Sequence, residues 1–156
     1  MKTLVVFYSR TGLTKKVAER ISSVMQADLE ELKDLQDRSG VIGYIKSGRD
    51  AMQKKFSEIA PLMKNPEDYD LVIIGTPTWA SNMACAPRNY LTQTAGKIKR
   101  LACFATQGGE TKNKAVVNMA ELSGLKSVAD LVLTSKEVAK DDYKIKLEEF
   151  IKNLSL

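Results

Sequence analysis

The chain has 156 residues, 44% of them hydrophobic and 28% charged, with a formal net charge of +5 and no histidine. That size and balance describe a single folded domain over residues 1–156 with a substantial core, and they exclude a disordered chain. The lack of histidine excludes Ser-His-Asp and Cys-His catalysis and any His-ligated metal site.

The first apolar run, Thr3 to Phe7, predicts a strand; Ser9 and Arg10 end it too early for a signal peptide. Tyr8-Ser9-Arg10-Thr11-Gly12-Leu13-Thr14 then leads into a helix, read from Val17, Ala18, Ile21, Val24 and Met25 on one face. A loop at that junction offers unpaired N–H groups of the first helical turn, the hydroxyls of Ser9, Thr11 and Thr14, and a tight turn at Gly12. Such a loop suits a phosphate, although Ser and Thr also serve as ordinary helix caps.

Leu29 to Leu32 reads as a short strand, and residues 33–66 as the longest crossover. Ile42, Ile45, Met52 and Phe56 recur at roughly helical spacing there and predict a helix. Gly40, Gly43 and Gly48 weaken this helix, Pro61 and Pro66 punctuate its exit, and Lys46, Arg49, Lys54 and Lys55 make it basic. Asp70 to Gly75 holds four successive apolar residues, as in the middle of a parallel sheet. It runs into a loop, Thr76 to Asn82, and then a helix with Pro87 in its first turn and Gly96 beyond its end. Leu101 to Ala105 is the next strand, opening into the loop Thr106-Gln107-Gly108-Gly109-Glu110. A helix through Val116, Val117, Met119, Ala120 and Leu122 closes at Gly124. A last strand, about Val128 to Leu133, precedes a helix burying Tyr143, Leu147, Phe150, Ile151 and Leu154.

Five strands alternating with five helices predict an α/β fold: three layers, a doubly wound five-stranded parallel sheet. Right-handed crossovers place every strand-to-helix loop at one edge, and in the order 2-1-3-4-5 the loops after strands one, three and four are neighbours. Cys85 and Cys103 form no CxxC or zinc spacing and read as small buried hydrophobes in a reducing compartment. No apolar run is long enough to span a bilayer, so a cytoplasmic protein without membrane contact is expected. The positive charge admits an acidic protein partner or a phosphorylated ligand; the scattered basic residues do not predict nucleic-acid binding.

Over essentially its whole length the sequence resembles the flavodoxins. Ser9-Arg10-Thr11-Gly12-Leu13-Thr14 matches that family's [S/T]-x-T-G-x-T loop, which implies a site for the 5′-phosphate of FMN that needs no Arg side chain. Pro77, Thr78, Trp79 and Ala80 resemble the second loop, implying that Trp79, the only Trp, stacks on the isoalloxazine ring. Thr106, Gln107, Gly108 and Gly109 resemble the third loop, whose N–H groups meet the pyrimidine edge.

The sequence departs from the family pattern in two places. No aromatic lies between Phe104 and Tyr143 to cover the other flavin face, and Ala80, Ser81 and Asn82 stand where many members have a Gly that favours the one-electron-reduced flavin. The resemblance implies an FMN-binding electron carrier with a redox protein partner and no catalytic side chain or metal. Two other readings stay open: an NAD(P)H-dependent quinone or flavin reductase, and an adaptor whose basic crossover contacts one partner.

Overall fold

In the computed structural model, which describes residues 1–154, β1 (Thr3–Phe7) leads to α1 (Leu13–Met25) and β2 (Asp28–Glu31). The long crossover carries α2 (Gly40–Met52) and a short 3-10 turn at Pro66–Asp68 before β3 (Leu71–Trp79). A two-residue strand β4 (Asn82–Met83) and α3 (Cys85–Gln93) follow. The remainder is β5 (Leu101–Gln107), α4 (Ala115–Ser123), β6 (Ser127–Thr134), α5 (Ser135–Ala139) and α6 (Lys144–Leu154). The sheet order is β2-β1-β3-β5-β6, parallel throughout, with β4 an antiparallel addition to β3.

The predicted order 2-1-3-4-5 is thus present, and its cause lies in the strand sequences. Successive side chains of β1, β3 and β5 point to opposite faces, and both faces are apolar. Leu4, Val6, Val72, Ile74, Cys103 and Ala105 meet Tyr90, Leu91 and Met119 from α3 and α4. Val5, Phe7, Ile73, Ala102 and Phe104 meet Val17, Ile21, Leu147 and Phe150 from α1 and α6.

Three local expectations need correction. Thr76 to Trp79 and Thr106 to Gln107 are not loop: β3 and β5 run on through them, because Thr106 pairs with Pro77 and Leu133, and Trp79 with Asn82. The C-terminal helical region is two helices, since Thr134 and Glu137 form a reciprocal capping box that starts α5 separately. On α1, Val24 is half exposed, beyond the strip the sheet covers.

Helix α2 forms where its spacing predicts, with its large apolar side chains facing outward. Ile42, Ile45, Met52 and the following Phe56 are all more than half exposed. The buried residues are Gly43, Ser47, Asp50 and Ala51. What they cover is the guanidinium of Arg38. Its Nε donates to Asp34 Oδ2 (2.6 Å), and Nη1 to Asp50 Oδ2 (3.2 Å) and Ser47 Oγ (3.4 Å). Nη2 donates to Ser57 Oγ (2.7 Å). A side chain at position 43 is impossible in this packing: a Cβ there would lie 2.2 Å from the Arg38 carbonyl carbon. The inner face of α2 is small and polar because it closes over a buried charge.

Candidate functional site

The C-terminal ends of β1, β3 and β5 converge at one edge of the sheet. At the first, Gly12 has φ +94°, a left-handed conformation that Gly adopts without a Cβ penalty, and its N–H donates to Ser9 Oγ (3.0 Å). Helix α1 starts at Leu13 with no side-chain cap. Among the described residues, the N–H groups of Leu13, Thr14 and Lys15 therefore have no acceptor, although the first helical bond, Lys16 N–H to Gly12 O, is made at 3.0 Å. The Thr14 hydroxyl is turned inward to the Thr106 hydroxyl (2.7 Å), tying the head of α1 to the end of β5 in a buried contact.

At the second edge, β3 and β4 form a hairpin whose two turn residues, Ala80 (φ 48°) and Ser81 (φ 64°), are both left-handed. Two-residue turns with positive φ at both positions favour Asn and Gly, and neither is present. The neighbouring residues hold the turn: Ser81 O accepts from Lys114 N–H (2.9 Å), and Asn82 Oδ1 accepts from Arg88 Nη2 (3.1 Å) and Asn118 Nδ2 (2.9 Å). Trp79, before the turn, is 9% exposed; Tyr8 meets it edge-on at 5.5 Å, and Arg38 lies over its ring at 5.2 Å.

The second and third loops are joined by Asn113, whose Nδ2 donates to Thr78 Oγ1 (2.8 Å) and Gln107 Oε1 (2.7 Å). Ser135 Oγ donates to Gln107 O (3.0 Å). These groups bound a cleft of about 180 Å³ lined by Arg10, Thr11, Leu13, Thr14, Pro77, Thr78, Trp79, Thr106, Gln107 and Gly108, with Tyr44 and Ser135. Ser9 lines an adjoining hollow of about 400 Å³ that shares the Arg10–Thr11 wall. Gly12, Ala80 and Gly109 line neither.

Electrostatics suit an anion. Among the described residues no carboxylate lines the smaller cleft, and the three free N–H groups sit at the positive end of α1. Arg10 stands in the wall of the cleft with its Nε and Nη2 donating to the carbonyls of Arg38 and Gly40, both at 2.9 Å, which holds the guanidinium in place and leaves its charge intact. Burial pushes the Tyr8 hydroxyl up to about 12, and the charge of Asp34 adds to the shift. Burial also pushes the Cys85 thiol up, and the Cys103 thiol to about 12, so neither is a nucleophile near neutral pH.

A family model for flavodoxins matches residues 2–151. The chain belongs to the flavodoxin family. A flavoprotein from Lactobacillus acidophilus, solved in complex with FMN, is 33% identical, covering 89% of this chain and 97% of its own, with a TM-score of 0.71. An NAD(P)H dehydrogenase (quinone) from Aromatoleum aromaticum is 34% identical over 62% of this chain and 48% of its own length. Another of that name, from Chromohalobacter salexigens, is 28% identical over 85% of this chain and 66% of its own. The chain thus spans between about half and two thirds of the length of these curated relatives.

In this flavodoxin-family cleft, several functional positions escape a sequence reading. Tyr44 comes from α2, far along the chain from the other walls, and Arg10 lies 5.6 Å from its ring. Asn113 carries no signal of its own. Ser135 stands inside the capping box of Thr134 and Glu137, a Thr-x-x-Glu pattern that marks a helix start but not a cleft wall.

Proposed function

We propose that this chain binds FMN in the three-loop cleft and passes electrons between redox partners. The observation that carries the reading is the set of unpaired N–H groups on Leu13, Thr14 and Lys15 at the head of α1, beside a cleft without carboxylates and with Trp79 in its wall. These N–H groups and the Thr11 hydroxyl would hold the phosphate, Gln107 and Gly108 the pyrimidine edge, and Trp79 and Tyr44 would flank the ring. FMN supplies one- and two-electron chemistry when bound, and the protein supplies binding, orientation and field. No side chain need act as an acid or base. The net charge of +5 disfavours the reduced, anionic flavin less than an acidic protein does, which fits a weakly reducing member.

A second reading, an FMN-dependent NAD(P)H:quinone reductase, draws on the names of the two curated relatives. It also draws on the 66% exposure of Tyr44, which puts the side of the cleft it lines at the protein surface, within reach of a second substrate.

One titration followed by one reduction tests both. Trp79 is the only Trp, so its fluorescence should fall and saturate as FMN is added to the apoprotein. Anaerobic dithionite should then reduce the flavin in two resolved steps while NADH and NADPH leave it oxidised. Fast bleaching by either nicotinamide would establish the reductase instead. Unchanged Trp79 fluorescence with no retained FMN would refute both.

A further inference from the structure

Helix α2 is amphipathic in reverse. At about 100° per residue, Val41, Ile45, Gly48 and Met52 fall on one line along the helix. This line is opposite the buried Gly43, Ser47 and Asp50. Val41 is 76% exposed, Ile45 65% and Met52 67%, with Ile42 and Tyr44 exposed on either side. Together these side chains leave on the order of 500 Å² bare, near the upper end of what a monomer tolerates and more than half of one side of a standard interface.

We propose that this face is a docking surface for an acidic protein, one that presents an apolar centre with carboxylates along one side. The first argument is charge. Residues 40–57 contain Lys46, Arg49, Lys54 and Lys55, and their one carboxylate, Asp50, is buried against Arg38. Lys46 and Lys54 form no ion pair among the described residues. A second copy of this chain is a poor fit, because a two-fold contact would set these cations against their own images.

The second argument is asymmetry. Lys46 and Arg49 lie on the Ile42 side of the apolar line, and Tyr44 lies on the other, where it enters the wall of the cleft. A lipid surface rewards cations on both flanks of an apolar stripe. Cations on one flank and a redox cleft on the other match a protein partner held in one orientation. The role as a redox partner rests on the function proposed above, but the docking itself does not require flavin.

Peptide binding to the apoprotein and to the FMN-loaded protein, followed by anisotropy, is the test. The probe is a labelled amphipathic helix with a leucine face bordered by Glu, compared with the same helix bordered by Lys. The Glu helix should bind both forms, and binding should weaken about tenfold between ~0.05 and ~0.5 M salt. Ile42→Ser with Ile45→Ser should weaken it about tenfold, as should Lys46→Glu with Lys54→Glu. Both pairs lie on a solvent-facing surface, and an unchanged circular dichroism spectrum and FMN titration would show that the fold and cleft remain intact. Equal binding of the two peptides, or binding of neither, would overturn the proposal. So would tighter binding to phosphatidylserine vesicles than to the peptide, or a dimer in sedimentation that the Ser variant abolishes. Peptide binding by a chain that takes up no FMN would leave the docking standing while the flavin reading fell.

Discussion

Replacing Arg38 by Met tests whether a buried charge holds the crossover in place. The substitution keeps much of the volume and removes the guanidinium. Asp34 then loses its 2.6 Å partner and keeps only the Gln36 N–H (2.8 Å). Asp50 keeps Arg49 (3.4 Å) and Lys55 (3.7 Å), both about half exposed and so weak substitutes. Removing one partner from a buried ion pair costs about 3–5 kcal/mol, and the surviving contacts place the expectation near the lower end, about 3 kcal/mol. A domain of this size has a total stability of roughly 5–15 kcal/mol, so the loss is easily measured by urea unfolding of the apoprotein.

The pH dependence of that loss is the stricter check. In the wild type, burial raises the Asp50 carboxyl, but hydrogen bonds from Arg38 and Arg49 outweigh it and hold the group below the usual range. The stability this contributes is present above the unfolded value, near pH 4, and is lost as pH falls through the lower folded value. In Arg38→Met, burial acts on Asp50 without that hydrogen bond and its carboxyl rises, so stability falls as pH rises through its folded value. The deficit should be largest at pH 7 and shrink toward pH 4.5. A loss under about 1 kcal/mol at pH 7, or one independent of pH, would refute this account.

Two further substitutions probe the close contacts. Thr14→Val leaves the buried Thr106 hydroxyl without its 2.7 Å partner and should cost about 1–3 kcal/mol in urea unfolding; adding Thr106→Val should recover much of it, since both groups are then apolar. No recovery in the double variant would mean that the hydroxyl pair is not the cause. Gly43→Ala forces a methyl into the Arg38 backbone and should cost about 1–3 kcal/mol, read as a lower melting temperature; an unchanged value would show that α2 is free to shift.

The sheet was legible because Leu4 to Phe7, Leu71 to Ile74 and Leu101 to Ala105 are apolar runs that only a sheet buried on both faces explains. The phosphate loop was legible because a helix start and its hydroxyls are adjacent in sequence. Trp79 could be placed in the cleft wall from its position soon after the apolar run Leu71 to Ile74, but not its packing, since Tyr8 and Arg38 approach it from distant segments. The outward direction of the apolar face of α2 was not legible, because periodicity reports a face and not its direction. The preference of Ile42, Ile45 and Met52 for burial was outweighed by Arg38, whose five hydrogen-bonding side-chain neighbours all need room beneath the helix. The β3–β4 hairpin gave no signal because Ala80 and Ser81 occupy a turn that other residue types prefer.

The reversed helix also alters how this part of the molecule comes apart. A helix that buries an apolar face must expose it to open, so its opening absorbs heat capacity and responds to denaturant. The large apolar side chains of α2 already lie in water, and detaching it uncovers chiefly Gly43, Ser47, Asp50 and Ala51. Its opening should therefore be nearly insensitive to urea and nearly flat in temperature, but sensitive to ionic strength. The crossover is set to exchange its amide hydrogens by local fluctuation, while the sheet beneath it exchanges only on global unfolding.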